Sequence, residues 1–188
     1  YLVTHSRRVA EQALAALAEH WSRMTEERVA YSRPVLARKT GNWSRAESMS
    51  LMENWLTAFP GKIDGVIAQN DDEALGAVQA IKSKGMDVTK IPVVGIDGIA
   101  AAIGAVQRGE MTTNFQDAQA QAQGAMDVAL RAMKGPSYRP RSPIWTEYAE
   151  QMPWGDGTAK SYTVPWTAVT PANAAIFLQE VKPQWSAR

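Results

Sequence analysis

The chain has 188 residues, of which 45% are hydrophobic, and carries 20 Lys and Arg residues against 19 Asp and Glu, for a formal net charge of +1. This composition is that of a globular protein that can bury one sizeable core. The balanced charge gives no broad attraction for a polyanion, so no nucleic acid partner is expected, and the absence of cysteine excludes disulfide scaffolds, thiolate metal sites and thiol nucleophiles.

The first predicted elements are a helix over about residues 6–21 and a strand over 28–38. Val9, Leu14, Leu17 and Trp21 recur at near-helical spacing after Ser6. The strand is rich in β-forming residues, but its proline favours an edge position or a bulge. The chain opens on Tyr1 rather than Met, and we expect it to be a processed or truncated piece.

A second helix is predicted to begin at Ser44, because Glu47 follows three residues later in the pattern of a capping box. An apolar stripe then runs along the helix, and Pro60 ends it. The stripe consists of Met52, Trp55, Leu56 and Phe59.

Three strands, each followed by a helix of ten or more residues, come next. The predicted strands cover 62–68, 91–96 and 111–115, and the helices cover 72–84, 99–108 and the stretch from 117 to about 133. This alternation is typical of right-handed parallel crossovers. It predicts an α/β fold, a three-layer sandwich with a mainly parallel sheet.

The stretch 135–160 differs in composition, since it is rich in proline and also contains Trp145, Tyr148 and Trp154. Aromatic residues are scarce in disordered segments, so we expect an ordered but irregular excursion. The following "SYTVPWTAV" is typical of a late strand, and "PANAAIFLQEV" of a short terminal helix.

Polar side chains follow each of the three predicted strands: Asn70, Asp97 and Gln116. In an open parallel sheet, ligands bind beyond the carboxyl ends of the strands, so these residues are expected to share one rim. Two amides and a carboxylate donate and accept hydrogen bonds but contain no nucleophile with a base, which favours the holding of a polyhydroxylated molecule. The alternative is that Asp71 or Asp97 only caps a helix, a role worth about 1 kcal/mol.

Trp43 precedes the predicted capping box. It is either a hydrophobic staple on the helix or a stacking face for a sugar ring, since an aromatic ring beside a polar rim offers apolar area without competing donors.

The sequence "NWSRAESMSLMENWLTAFPGKIDGVIAQNDDEALGAVQAIKSKG", then "IPVVGIDG", then "AVQRGEMTTNFQDAQAQAQGAMDVALRAMKG" resembles the C-terminal half of the ribose-binding-protein-like solute receptors of ABC importers, the type 1 periplasmic binding fold. The resemblance runs from about residue 40 to 135. These receptors share their ligand-sensing core with lac-repressor-like transcription factors.

The resemblance implies roles for individual residues. In such receptors an aromatic residue at the place of Trp43 stacks on the sugar, and residues at the places of Asn70, Asp97 and Gln116 hydrogen-bond its hydroxyls. An arginine near the first helix also contacts the ligand, and Arg7 or Arg8 is the candidate, the alternative for both being surface charge. Asp71 and Asp72 would then only start a helix.

The resemblance also implies a division of the chain. Residues 1–116 are expected to be an incomplete C-terminal lobe, and residues 117–188 to cross back towards an N-terminal lobe that this chain lacks. The apolar face of the helix at 117–133 has no obvious partner in the sequence. The excursion at 135–160 is longer than is usual in the family, and its role is open.

The favoured hypothesis is a periplasmic, monomeric receptor without enzymatic activity, cofactor or metal, which captures a sugar or sugar alcohol and presents it to an ABC permease in the membrane. The alternative is the sensor core of a lac-repressor-like regulator. A third hypothesis is a phospho-acceptor receiver domain, with Asp97 accepting phosphate and Asp71 and Asp72 holding magnesium.

Overall fold

The computed structural model describes residues 35–185, with side chains up to residue 179. These residues form two compact units, the first made of residues 35–115 and 168–185 and the second of residues 116–167. The predicted helix at 6–21 lies outside the described residues, as do Arg7, Arg8 and most of the predicted strand at 28–38. The described end of that strand, residues 35–38, is not a strand, and Val35 is 56% exposed.

The first unit contains the alternating strands and helices. Its elements are α1 (Arg45–Ala58), β1 (Val66–Ile67), α2 (Asp71–Ser83), a 3₁₀ turn (Val88–Lys90), β2 (Val93–Asp97), α3 (Ala100–Gln107), β3 (Thr112–Gln116) and, after the second unit, α6 (Ala174–Trp185). β4 (Trp166–Val169) leads into α6, and the four strands lie in the order β1, β2, β3, β4. β1 pairs with β2 and β2 with β3, both in parallel.

The core of the first unit lies on both faces of this sheet. Val93, Val94 and Ile96 of β2 are all buried, as expected of a parallel strand covered by helices on both sides. Three helices each contribute a fully buried side chain: Met52 from α1, Ile81 from α2 and Ile103 from α3. Val169 and Ala174 are also fully buried there, so the C-terminal segment completes this core. The predicted α/β layered fold is confirmed.

The start of α1 confirms the predicted cap in part. The hydroxyl of Ser44 accepts a hydrogen bond from the N–H of Glu47. The carboxylate of Glu47 accepts instead from Nδ2 of Asn42, at 2.7 Å, while the N–H of Ser44 donates to the carbonyl of Gly41. Only one of the two hydrogen bonds of a capping box is therefore present.

The second unit consists of the long helix α4 (Ala118–Lys134), the short helix α5 (Ile144–Glu147) and irregular chain up to β4. One face of α4 packs against the excursion, with Ala120 and Val128 in the same cluster as Ile144 and Trp145. That face of the helix therefore does have a partner, contrary to the expectation from the sequence. Met126 and Met133, on the other side of α4, are 61% and 81% exposed.

The excursion is ordered and irregular, as predicted. Trp154 stacks on Tyr162 with 5.8 Å between ring centroids, and Trp145 meets both rings edge-on. Asp127 of α4 is only 3% exposed and accepts four hydrogen bonds from this segment. Aromatic packing and one buried carboxylate thus hold a stretch that has little regular structure.

Within residues 35–185, no helix is both long and apolar enough to cross a membrane.

Candidate functional site

Asn70 lies just beyond the carboxyl end of β1 and is 3% exposed. Its Oδ1 accepts a hydrogen bond of 2.7 Å from the N–H of Glu73, so Asn70 is the N-cap of α2. Among the described residues, no hydrogen bond uses its Nδ2. The amide therefore has one end committed to the helix and a donor left for another molecule.

Asp71 follows immediately but does not cap its own helix. Its Oδ2 accepts hydrogen bonds from the N–H groups of Gly98 at 2.7 Å and Ile99 at 2.9 Å, and its Oδ1 accepts from the hydroxyl of Thr113 at 2.5 Å. Asp71 is the first residue of α2, as predicted, but its carboxylate does more than start that helix, because it connects the turn after β2 to Thr113 in β3. Burial raises the pKa of Asp71 to about 7, against the effect of these donors, and the nearby charge of Asp97 adds to the rise.

Asp72 forms an ion pair with Arg45 of α1, with 2.5 Å between Oδ1 and Nη2. Both side chains are nearly half exposed, so the pair contributes little to stability. Asp72 lies in the first turn of α2, as expected of an acid near a helix start.

Asp97 is the last residue of β2, and it has a backbone φ of 123°. Gly98 follows with a φ of 78°. A positive φ is ordinary for glycine but strained for aspartate. Burial raises the pKa of Asp97 to about 6, opposed by the backbone N–H of Asp71 and assisted by the charge of Asp72.

Each of the two glycines of "GIDG" leaves space for a different neighbouring side chain. A Cβ at Gly95 would come within 2.3 Å of Oδ1 of Asp71, so this position must lack a side chain for the buried carboxylate to fit. A Cβ at Gly98 would lie 2.6 Å from the ring of Phe115. The motif therefore makes room for Asp71 behind the strand and for Phe115 beside the turn.

Trp43 is 71% exposed and has a φ of 58°. Its N–H donates to Oε1 of the buried Glu73 at 3.1 Å, and the hydroxyl of Ser48 donates to the carbonyl oxygen of Glu73 at 2.9 Å. These contacts hold the backbone of Trp43 beside the first turn of α2, just after its N-cap Asn70. The exposed indole is consistent with a stacking surface and argues against a buried staple.

Gln116 is the last residue of β3 and belongs to the second unit. Its Nε2 donates to Oε1 of Gln121 at 3.0 Å. The parallel pairing brings Asn70 and Asp97 to the same edge of the sheet, and a shared rim with Gln116 stays a prediction. The ligand-contact role of all these residues, and of Arg7 and Arg8 outside the described part, also stays a prediction.

The receiver hypothesis fits this geometry poorly. Both oxygens of Asp71 already accept from N–H and O–H donors, and Asp72 is paired with Arg45. Within the described part of the chain, no group of three acidic or histidine side chains is arranged to hold a metal ion.

Sequence reasoning missed Thr113, Glu73 and the linking role of Asp71. All three act through partners at least 25 residues away in the chain. The glycine at position 95 was a usable signal, since an isolated glycine inside a strand often marks the close approach of another group.

The family model "Periplasmic binding protein domain" matches residues 3–137. The xylitol-binding protein of Mycolicibacterium smegmatis is 44% identical over 102 residues, which cover 54% of this chain and 29% of that protein. The putative rhizopine-binding protein of Rhizobium meliloti is 33% identical over 144 residues, which cover 76% of this chain and 40% of that protein.

Among solved structures, an ABC transporter solute binding protein from Bacillus halodurans with bound myo-inositol is 31% identical to this chain, with a TM-score of 0.60. The match covers 78% of this chain and 44% of that one. The chain thus spans less than half the length of the relatives it matches.

Short stretches also match two proteins called histidinol dehydrogenase homologs, from Rhizobium meliloti and Mesorhizobium japonicum, over 31% and 22% of this chain. These matches cover only 13% and 9% of those proteins, and so carry no activity over to this chain. The family model, by contrast, covers well over half of the chain. The chain belongs to the periplasmic binding protein family, whose members are binding proteins and not enzymes.

Proposed function

We propose that this chain forms one wall of a cleft that binds a sugar or sugar alcohol, in the solute-binding component of an ABC importer working in the periplasm. The observation that carries the proposal is that Asn70 and Asp97 lie at the carboxyl ends of two neighbouring parallel strands. The exposed Trp43 is held by its backbone to Glu73, in the first turn of the helix that follows Asn70.

The chemistry of these groups suits a polyhydroxylated ligand. The carboxylate of Asp97 is half-buried, and a partly desolvated carboxylate gains from hydroxyl groups that donate to it. Nδ2 of Asn70 can donate to a hydroxyl oxygen while Oδ1 stays bound to the helix. The exposed face of Trp43 can cover the C–H face of a ring or polyol chain.

The relatives support this class of ligand. One is a xylitol-binding protein, another a ribose import binding protein from Salmonella typhimurium, 33% identical over 112 residues, and the Bacillus halodurans structure contains myo-inositol. Gln116 and one of Arg7 and Arg8 are proposed as further contacts. A permease in the membrane is the proposed partner.

A thermal-shift screen with xylitol, myo-inositol and ribose tests the proposal. A ligand at 100 times its dissociation constant stabilises the folded state by about 2.7 kcal/mol, which shifts the melting temperature measurably. Asp97→Asn should abolish the shift, whereas Glu53→Gln on α1, which makes the same change of charge, should keep it. If none of the three compounds shifts the melting temperature of the protein, the proposed ligand class is wrong.

A further inference from the structure

Asp71 is fully buried, with an exposed fraction of 0%, yet it is directly hydrogen-bonded to the turn that follows Asp97. We infer that Asp71 is a positioning residue, which holds the turn Asp97–Gly98–Ile99 in the conformation that presents the Asp97 carboxylate to the ligand. This inference rests on the proposed function, because it concerns the affinity of the same site.

The turn needs an external support. Asp97 and Gly98 both have positive φ values, 123° and 78°, and a strained aspartate persists only where its surroundings fix it. Ile99 is the N-cap of α3, but its apolar side chain makes no capping hydrogen bond. The first amides of this turn and helix would then be unsatisfied.

Oδ2 of Asp71 supplies the missing acceptor. It accepts from the N–H groups of both Gly98 and Ile99, at 2.7 and 2.9 Å. The carboxylate, at the start of the neighbouring helix α2, thus satisfies the two amides that lead into α3. Two hydrogen bonds to one oxygen fix both the position and the direction of the backbone next to Asp97.

Asp71 is itself held from two other sides. Thr113 of β3 donates its hydroxyl to Oδ1, and the missing side chain of Gly95 in β2 leaves the space that Oδ1 occupies. Asp71, which follows β1 and Asn70, therefore connects the turn after β2 to Thr113 within β3. A residue so placed sets the relative position of ligand-contacting groups without touching the ligand.

The test compares three variants in the full 188-residue chain. Asp71→Ala removes the acceptor, and Asp71→Asn keeps a carbonyl oxygen for Gly98 and Ile99 while its amide faces the Thr113 hydroxyl, which can accept. Asp72→Asn is the control. It removes the same charge one residue further along the chain, where the carboxylate belongs to an exposed ion pair. Calorimetric titration with xylitol, myo-inositol and ribose gives the dissociation constants, and NMR hydrogen exchange follows the Gly98 and Ile99 amides.

Asp71→Ala should raise the dissociation constant by about tenfold or more and speed the exchange of both amides, because a buried donor has lost its partner. Asp71→Asn should restore both values to within about threefold of the wild type. A dissociation constant for Asp71→Ala equal to that of Asp72→Asn would overturn the inference, as would failure of Asp71→Asn to restore binding.

Thr113→Val serves if Asp71→Ala does not fold. It loosens the carboxylate without removing it, and faster exchange of the two amides should go with weaker binding. Faster exchange with unchanged binding would overturn the inference. If the wild type binds none of the three compounds, the proposed function fails, while slow exchange of the Gly98 and Ile99 amides in the wild type and fast exchange in Asp71→Ala would still show that Asp71 holds the turn.

Discussion

The indole N–H of Trp145 donates to the buried carboxylate of Asp127 at 2.8 Å. The hydroxyl of Tyr138 and the backbone N–H groups of Arg141 and Ser142 donate to the same carboxylate. Burial opposes ionisation, but the hydrogen bonds from Ser142, Tyr138 and Trp145 outweigh it and hold the pKa of Asp127 well below its usual range. One ionised side chain thus organises the loop between α4 and α5.

Replacing this carboxylate should destabilise the second unit. Asp127→Asn turns one acceptor oxygen into an amide that faces N–H or O–H donors, and the free energy of unfolding should fall by about 2 kcal/mol. Urea denaturation followed by tryptophan fluorescence measures the change. Asp156→Asn in the same unit, where an exposed carboxylate accepts from the N–H and the hydroxyl of Thr158, should cost clearly less. Equal losses in the two variants would contradict the anchoring role of Asp127.

Trp43 should matter for binding and not for stability. Its side chain is 71% exposed and its φ of 58° is one that glycine adopts without strain. Trp43→Gly should therefore leave the melting temperature unchanged or slightly raised, and should weaken binding of the sugar or polyol by about tenfold through loss of stacking. Titration calorimetry and thermal denaturation separate the two effects.

Trp55→Gly is the contrasting change. Trp55 lies in α1 and packs against the core, so its replacement should lower the melting temperature. Retention of full affinity in Trp43→Gly would exclude the stacking role.

Asn70 has two separable roles, and two substitutions distinguish them. Asn70→Ala removes the N-cap of α2 and should cost about 1 kcal/mol of stability as well as ligand affinity. Asn70→Ser keeps a capping oxygen and should retain most of the stability, while its shorter side chain no longer reaches the ligand. If Asn70→Ser binds the ligand as tightly as the wild type, Asn70 is a helix cap and nothing more.

The raised pKa values of Asp71 and Asp97 make stability depend on pH in a direction opposite to that of most acidic groups. Both rise from an ordinary value of 3.8, to about 7 and about 6. The folded state therefore binds more protons than the unfolded chain between about pH 4 and 7. The contribution of the pair to stability is full below the ordinary value and is lost as the pH rises through 6 and 7.

Urea denaturation of the unliganded chain at pH 5 and pH 8 checks this dependence. The free energy of unfolding should be higher at pH 5, and the difference should shrink in Asp97→Asn, which keeps the size of the side chain but no longer titrates. Asp87, a fully exposed acid whose pKa is lowered by hydrogen bonds from Thr89, supplies the control. Asp87→Asn should leave the difference between pH 5 and pH 8 unchanged.

The layered fold was predictable because hydrophobic periodicity and helix-start signals are local. Ser44, Asn70 and Asp117 all accept from the N–H three residues later, at the beginnings of the helices α1, α2 and α4. Strand length was harder to predict. The expected strand at 62–68 is only Val66–Ile67, since an apolar run gives the presence of a strand but not how much of it finds a partner.

The burial of Asp71 and Asp127 could not be predicted from their own sequence neighbours, for a different reason. Both are acidic residues in helices, where such side chains are usually exposed to solvent. Nothing in their neighbours along the chain distinguishes them from Asp72. Their burial depends on donors supplied by Thr113 in one case and by Tyr138 and Trp145 in the other. Such pairings are fixed by the three-dimensional packing and carry no short-range pattern.

The return of the C-terminal segment to the first unit has a consequence for biosynthesis. Val169 and Ala174 are fully buried in that unit, and the ring of Phe177 lies 5.0 Å from that of Phe115. A ribosome must therefore translate the whole of residues 116–167 before the earlier strands can close their core. Until then the nascent polypeptide exposes apolar strand surface, which is the state that chaperones recognise and proteases cut.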